Sequence, residues 1–424
     1  PRLLVVNCQA FNYASGPGIT LSNLFRGWPP DRLATVHDDF LPVSEDVCRQ
    51  YYLLGDSEAR WTFSWARRLF LTRRRENVAA ADAGREVRAG NRRGPPPPRR
   101  LSRWVETVRE YLNPRDLLLR YEVSENLQSW VRQFSPDLIY TQPANACFMS
   151  LALHVKKLTG ARLAIHFMDD WPVVFQGAGS WLRPWARRTM HWLDVILREA
   201  DVRITISRKM AEVYRQRYGY TFDFFHNPAP VEPRPKSAEE AARLQVPARI
   251  VYSGVITPRN QLEALRAVGR GVQRLNESGQ PARLHIYTQP GYRRLYAASL
   301  ASPFVVFEDY ISEQERIAVV YREADLLVIP LSFGASARRF TALSMPTKTT
   351  SYMASGTPVL VYAPAETALA DYADRDGWAL LVSDRSDAAL TEGLRRALSD
   401  TALRLRLREK ALQTVAINHD PEAL

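Results

Sequence analysis

The sequence predicts an α/β protein in which two doubly wound parallel sheets face a central cleft. In both halves of the chain, short apolar runs alternate with helical stretches, as expected for parallel strands covered by helices on both faces. The 424 residues, of which 46% are hydrophobic, exceed what one core usually holds and suffice for two. Residues 227–236 (NPAPVEPRPK) contain four prolines and suit an extended linker, so the domains are predicted at residues 1–228 and 229–410.

Each predicted strand is an apolar run of four or five residues. Doubly wound sheets bind their ligands at the carboxyl ends of such strands, so candidate site residues are expected just after them. In the first half the runs are residues 3–6, 137–140, 163–167, 202–206 and 222–225. In the second half they are residues 249–253, 284–287, 304–307, 326–329, 359–362 and 379–382.

Residues 344–361 (SMPTKTTSYMASGTPVLV) carry the clearest functional pattern. Between two apolar strands, a helix is predicted to open at Thr347, Lys348 and Thr349. A lysine in the first turn opposes the positive end of the helix dipole, unless an anion binds to the free N–H groups there. Together with the hydroxyls of Thr347 and Thr349, Lys348 therefore predicts a phosphate-binding site.

A second basic helix start is predicted in the same half of the chain. Residues 250–253 form an apolar strand, Gly254 permits a tight turn, and a helix is predicted to begin near Arg259. Arg259 or Lys348, taken alone, is better explained as a solvated surface residue. The pair of Arg259 and Lys348, at matching positions, favours one shared polyanion such as a diphosphate.

The first half offers two further candidate segments. After the strand 3–6, a loop carrying Gly16 and Gly18 is predicted before a helix; glycines permit close backbone approach to a ligand, and a simple tight turn is the alternative. Asp169 and Asp170 follow a later strand and are predicted to face the cleft. Adjacent carboxylates raise each other's pKa, which suits a proton acceptor; a helix cap or loop turn is the alternative.

The spacing P-x-K-x-x-x-Y-M-A-x-G-x-P-V in residues 346–359 resembles the donor-site signature of GT-B glycosyltransferases, and especially that of glycosyltransferase family 4. Residues 252–254 (YSG) and 170–172 (DWP) are similar to other elements of that family. The resemblance implies a GT-B fold of two Rossmann-like domains. It also implies that the last helix, here within residues 411–424, crosses back to the first domain.

The resemblance further implies a reaction and its partners. A sugar would pass from a nucleotide-diphosphate sugar to a glycan or lipid-linked acceptor in cell-surface polysaccharide assembly, with retention of configuration. Protein cations would stabilise the leaving diphosphate, so that neither a metal nor a cofactor is needed. Asp169 and Asp170 would be catalytic, and the donor diphosphate would be bound by Arg259, Lys348, Thr347, Thr349, Gly254, Gly16 and Gly18.

One departure from the family pattern concerns two glutamates, eight positions apart in most members, that bind the ribose and the donor sugar. Leu343 and Ser351 occupy these positions here. Ser351 can still donate a hydrogen bond to a ribose, and Glu366 and Ser207 are further candidates for nucleotide or sugar contact. The loss leaves open a catalytically inactive binding or scaffold protein as an alternative.

The chain is strongly basic, with a formal net charge of +12 and an arginine-rich run at residues 85–103. Residues 59–75 (ARWTFSWARRLFLTRRR) predict either peripheral contact with an anionic membrane or an amphipathic helix packed on the domain. A transferase that modifies nucleic acid bases is a further alternative, although no nucleic-acid-binding motif is present. The three cysteines and seven histidines show no disulfide or metal spacing, and no run approaches a membrane span. We therefore expect a metal-independent protein that is cytoplasmic or held at the inner face of the membrane.

Overall fold

The computed structural model describes residues 1–13, 16–62, 118–175, 183–229, 234–311 and 314–420. The chain divides into two compact units. The first comprises Pro1–Phe167, Trp171–Thr205 and Tyr218–Asp223; the second comprises Met168–Asp170, Ile206–Arg217 and Phe224–Leu424. Most of the predicted membrane-contact segment 59–75, and all of the arginine-rich run 85–103, lie outside the described residues.

The first unit is built on a seven-stranded sheet in the order β3-β2-β1-β6-β7-β8-β9. Adjacent strands from β3 to β8 pair in parallel, and β4 and β5 form a separate antiparallel pair. The central strands are mostly apolar and, apart from the first residues of β6 and β7, buried, as expected for a sheet covered on both faces. The strands are β1 Leu3–Val6, β2 Leu33–His37, β3 Gln50–Leu53, β4 Ala59–Trp61, β5 Leu119–Tyr121, β6 Leu138–Thr141, β7 Arg162–Phe167, β8 Val202–Thr205 and β9 Asp223–Phe224.

Side-chain caps fix where two helices of the first unit begin. The hydroxyl of Ser124 accepts a hydrogen bond from the N–H of Leu127, and the Asn145 side chain accepts one from Phe148. A left-handed Gly160, with φ of 70°, ends the second of these helices. The α-helices are Gly16–Phe25, Glu125–Phe134, Ala146–Thr159 and Arg183–Glu199.

The second unit contains a six-stranded sheet in the order β12-β11-β10-β13-β14-β15, and all its pairs are parallel. Its core is a continuous apolar cluster between this sheet and the helices that pack on it. The strands are β10 Ala248–Ser253, β11 Ala282–Tyr287, β12 Val305–Glu308, β13 Leu326–Pro330, β14 Val359–Tyr362 and β15 Leu380–Val382. The helices are Arg208–Tyr218, Ala238–Ala242, Leu262–Glu277, Pro290–Tyr296, Gln314–Glu323, Ala335–Thr341, Lys348–Ala354, Ala368–Asp376, Asp387–Ser399 and Thr401–Asn418.

These two sheets confirm the predicted α/β class with parallel, doubly wound sheets. The described part of residues 411–424, which was expected to cross back to the first domain, belongs to the second unit. No described helix is both long enough and apolar enough to cross a lipid bilayer.

A buried carboxylate stabilises the amino-terminal end of the second sheet. Asp325, immediately before β13, is fully buried and accepts hydrogen bonds from the backbone N–H groups of Gln245 and Arg249, the latter at 2.7 Å. Its charge raises the pKa values of two buried cations, Lys236 and Arg404, against the opposing effect of desolvation. Asp325 therefore compensates positive charge that would otherwise be buried alone.

We predict that Asp325→Ala lowers the free energy of unfolding by about 3–5 kcal/mol, because it leaves backbone donors unsatisfied and buried cations uncompensated. Urea denaturation measures the loss. Asp309→Ala is the matched control, since the Asp309 side chain is fully exposed and should leave the midpoint unchanged. Equal midpoints for the two variants would contradict the proposed role of Asp325.

Candidate functional site

Lys348 lies against the end of β10. Its ammonium nitrogen is 3.9 Å from the centroid of the Tyr252 ring, within the range of a cation–π interaction. Gly254, which follows β10 with φ of 134°, is equally close: a Cβ at this position would lie 2.6 Å from Nζ of Lys348. The structure thus brings together Gly254 and Lys348, which are far apart in sequence. The positive φ of residue 254 favours glycine, and the missing Cβ lets the lysine nitrogen lie close to the backbone.

Buried tyrosines hold this arrangement in place. The hydroxyl of Tyr352, on the same helix as Lys348, accepts a 2.8 Å hydrogen bond from the N–H of Ser253 at the end of β10. Its ring packs edge-on against Tyr321, with 4.8 Å between the ring centroids. The Tyr252 hydroxyl donates a 2.5 Å hydrogen bond to the carbonyl of Val255. The sequence analysis used Tyr252 and Tyr352 only as positions of the family motifs. It did not predict that their contacts fix the position of Lys348.

The protein around Lys348 desolvates its ammonium and lowers its pKa to about 7, although part of the residue remains exposed. Within the described part of the chain, no carboxylate pairs with it. Its helix, Lys348–Ala354, has seven residues and no side-chain cap. Because so short a helix has only a small dipole, the positive character of this site comes mainly from the ammonium.

The predicted hydroxyls near Lys348 differ in their surroundings. Thr347 is exposed and Ser351 is half-buried, so both are accessible to a ligand. Thr349 is buried, and its hydroxyl has no hydrogen-bond partner among the described residues. Thr350 donates to the carbonyl of Thr347. Thr347 and Ser351 are therefore the hydroxyls that solvent reaches.

Arg259 does not start a helix. It lies half-buried in the turn before the helix Leu262–Glu277, because the carbonyl of Thr257 accepts hydrogen bonds from the N–H groups of Gln261 and Leu262. The expectation of a cation in the first helical turn was wrong at this position, and the helix-dipole argument does not apply to Arg259.

Two other predicted contact residues have partners within the protein. The Ser207 hydroxyl is buried and accepts a hydrogen bond from the N–H of Met210, which makes it the N-cap of the helix Arg208–Tyr218. Glu366 is exposed and forms an ion pair with Arg338 at 3.1 Å. A ligand at either residue would compete with these interactions.

The neighbouring carboxylates of Asp169 and Asp170 have different environments. Asp170 is buried, accepts two hydrogen bonds from Arg217 at 2.6 and 3.0 Å, and accepts a third from the Tyr214 hydroxyl at 3.0 Å. These contacts give Asp170 a structural role, and its predicted catalytic role stays a prediction.

Asp169, in contrast, is exposed and accepts one hydrogen bond from the Ser344 hydroxyl, at 3.2 Å. The protein around it raises its pKa to about 6, with a smaller increase from the charge of Asp170 and an opposing decrease from the bond to Ser344. Of the two predicted carboxylates, Asp169 is the one available to exchange a proton with a ligand.

Gly16 and Gly18 belong to the first unit, whereas the residues above belong to the second. The helix Gly16–Phe25 begins at the first glycine, so both lie in its first turn and not in a loop before it. A Cβ at Gly18 would lie 2.3 Å from the side chain of Asn12, which donates to the carbonyl of Ala10 at 3.1 Å. Gly18 thus makes room for a hydrogen-bonded asparagine.

Two family models match the chain one after the other. Residues 77–232 match the model of Glycosyltransferase Family 4, and residues 247–400 match that of Glycosyl transferases group 1. The chain is a GT-B glycosyltransferase resembling family 4. No curated protein sequence matches it closely enough to count as a relative.

Solved structures share the fold of this glycosyltransferase at low sequence identity. Sucrose-phosphate synthase from Thermosynechococcus elongatus is 15% identical, with a TM-score of 0.62 over 100% of this chain and 96% of that one. HepE from Anabaena, solved with UDP, is 11% identical, with a TM-score of 0.59 over 100% and 97% of the chains. WaaG, described as a glycosyltransferase involved in lipopolysaccharide biosynthesis, is 13% identical, with a TM-score of 0.53 over 99% and 97%. These similarities establish the GT-B fold.

We predict that Lys348→Met raises the free energy of unfolding of the ligand-free enzyme by about 1–3 kcal/mol at pH 7, because it removes a desolvated, uncompensated charge. The pKa of Lys348 in the folded protein, about 7, lies below its ordinary value of 10.5. The unfolded chain therefore binds more protons between these values, and the wild type should gain stability relative to the variant as the pH rises through this range. Urea denaturation at pH 7 and pH 9.5 tests both statements; a destabilised variant at pH 7 would contradict them.

Proposed function

We propose that this glycosyltransferase moves a sugar from a nucleotide-diphosphate sugar to a glycan or lipid-linked acceptor, and that Lys348 binds the donor diphosphate. The observation that carries the proposal is the position of the Lys348 ammonium, between the Tyr252 ring and Gly254, without a carboxylate partner in the described part of the chain. A desolvated cation destabilises the protein unless a ligand supplies negative charge. A diphosphate would supply it and would in turn be stabilised as charge develops on it during transfer.

The other contacts to the donor diphosphate are proposed from where the residues lie relative to Lys348. Gly254 would allow the diphosphate to approach the backbone at the end of β10, and Thr347 and Ser351 present accessible hydroxyls on the lysine-bearing segment. Arg259, in the turn after β10, is proposed as a second cation. The diphosphate contacts of Gly16 and Gly18 stay a prediction from the sequence. In this scheme protein groups alone neutralise the diphosphate, so no metal takes part.

Asp169 is the proposed proton acceptor. Its carboxylate is exposed, and its pKa of about 6 leaves it mostly ionised at neutral pH while still basic enough to share the proton of a sugar hydroxyl. Asp170 would hold the backbone of this segment through its ion pair with Arg217.

The structural neighbours guide the choice of donor and acceptor to test. HepE has been solved with UDP, with UDP-glucose, and with UDP and glucose together. A uridine nucleotide is therefore the first donor to examine. WaaG is described as a glycosyltransferase involved in lipopolysaccharide biosynthesis, which supports a glycan or lipid-linked acceptor in cell-surface polysaccharide assembly. Retention of configuration and a location at the inner face of the membrane are proposed from the family resemblance alone.

We predict that UDP binds the wild type and that Lys348→Met weakens its binding by about 1–3 kcal/mol, or roughly 5- to 150-fold, through loss of a charge-assisted contact. Isothermal titration calorimetry measures both affinities. Lys410→Met is the matched control, because Lys410 is exposed on the helix Thr401–Asn418 and its ammonium donates only to Gln413 among the described residues.

A panel of UDP, GDP, ADP, CMP, dTDP and a DNA duplex identifies the ligand in the same experiment. Equal affinity of the Lys348→Met variant and the wild type for the bound nucleotide would overturn the assigned diphosphate contact. Failure of every nucleotide to bind would instead favour a catalytically inactive scaffold protein, whereas selective binding of duplex DNA would favour a transferase acting on nucleic acid bases.

We predict that the affinity for UDP-glucose is constant below about pH 7 and falls by at most about tenfold per pH unit above it. The sign follows from linkage: the bound diphosphate raises the pKa of Lys348 from its free value of about 7, so binding requires proton uptake once the free lysine is neutral. UDP-glucose is used because its diphosphate has no titrating group in this range. Calorimetry from pH 6 to 9 should give a sloping profile for the wild type and a flat one for Lys348→Met; a sloping profile for the variant would refute the assignment.

A further inference from the structure

The segment that carries Asp169 is anchored by its neighbour. Asp170 is held by two hydrogen bonds from Arg217 and one from Tyr214, so the backbone of residues 168–170 has a fixed position. The side chain of Asp169 is exposed next to this anchor. A carboxylate on a fixed backbone can still turn about its own side-chain bonds, and therefore needs a second contact to hold one orientation.

Ser344 supplies that contact from 175 residues further along the chain. It lies between two buried residues, Leu343 and Met345, which anchor the backbone on either side of it. The carbonyl of Ala342 also accepts a 2.7 Å hydrogen bond from the N–H of Ala368. The hydroxyl of Ser344 is thus presented from a fixed segment and donates to Asp169 at 3.2 Å.

We propose that Ser344 is a positioning residue, whose hydroxyl orients the Asp169 carboxylate and favours its ionised, proton-accepting form. This inference rests on the proposed function, in which Asp169 accepts a proton from the acceptor hydroxyl. A hydrogen bond donated to a carboxylate stabilises the charged form more than the neutral one, because the protonated acid is a weaker acceptor. The bond therefore extends the pH range in which Asp169 can accept a proton.

The other charged groups near Asp169 do not remove the need for this bond. Asp170 is the charged group that acts directly on the Asp169 carboxylate, and its charge raises the pKa. Arg217 is committed to Asp170 in a two-bond ion pair. Desolvation by the surrounding protein also favours the neutral acid. Among the described residues, the Ser344 hydroxyl is the group that opposes both effects.

The test is a titration of Asp169 in the full-length protein. Aspartate labelled with ¹³C at the side-chain carboxyl gives a resonance for each residue, and the Asp169 signal is the one lost in Asp169→Asn. We expect a midpoint near pH 6 in the wild type, a midpoint higher by about 0.5–1 pH unit in Ser344→Ala, and a return towards the wild-type value in Ser344→Thr, which keeps the hydroxyl. Ser299→Ala, at an exposed serine whose hydroxyl donates to the Tyr296 carbonyl, is the matched control.

A second measurement connects the titration to the reaction. The hydrolysis of UDP-glucose to UDP and glucose is followed from pH 5 to 8, with water in place of the acceptor as the group that attacks the sugar and gives its proton to Asp169. The acidic limb of this rate profile should move to higher pH in Ser344→Ala by the same amount as the carboxyl midpoint. Thermal unfolding confirms that each variant is folded; if Ser344→Ala does not fold, Ser344→Cys, a weaker donor, replaces it.

The results of these two experiments distinguish the positioning role of Ser344 from the proton-acceptor role of Asp169. An unchanged Asp169 midpoint in folded Ser344→Ala, or one that Ser344→Thr does not restore, overturns the role of Ser344 and leaves that of Asp169 intact. An Asp169→Asn variant that retains the acidic limb of UDP release overturns the proton-acceptor role of Asp169, and with it the positioning role.

Discussion

The candidate site of the second unit is arranged around one desolvated ammonium group, that of Lys348, which has no carboxylate partner in the described part of the chain. Lys348 is held over the Tyr252 ring and beside Gly254, where a side chain would collide with it. The Tyr352 hydroxyl connects the lysine-bearing helix to the end of β10, so the position of the ammonium is set by buried contacts and not by an ion pair. A cation held in this way interacts more strongly with an anion than one in water, because the surrounding protein is less polar than solvent.

The two adjacent carboxylates show how one sequence pair acquires two roles. Asp170 is buried against Arg217 and Tyr214, and its charge is satisfied within the protein. Asp169 keeps access to solvent, and within the described part of the chain its side chain accepts a hydrogen bond only from the Ser344 hydroxyl. The buried pair therefore provides a fixed backbone, while its neighbour remains free to meet a ligand.

The sequence allowed the sheets to be predicted because their central strands are uninterrupted apolar runs. It missed β3, whose residues Gln50–Leu53 are only partly buried and lack a continuous apolar pattern. It also missed the short pair β4 and β5, and β2, although β2 is fully buried. It placed Lys348 and Gly254 in one site, because neighbouring strands of a parallel sheet end at the same edge. It placed the helix start near Arg259 too early, since a local hydrogen-bond pattern at Thr257 sets that boundary. No sequence pattern predicts the contact between Asp169 and Ser344, because these residues are far apart in sequence and meet only in the tertiary structure.

Leu343 and Lys348 lie five residues apart but have opposite effects on the stability of the fold. Leu343, at a position where the family resemblance implies a glutamate, is buried and contributes apolar contact to the fold. Lys348 lowers stability, because its charge is desolvated without a partner in the described chain. If the segment served packing alone, an apolar side chain would suit position 348 better, as it does position 343. The cation–π contact with Tyr252 offsets part of this cost, and in the proposed function a bound anion would offset the rest.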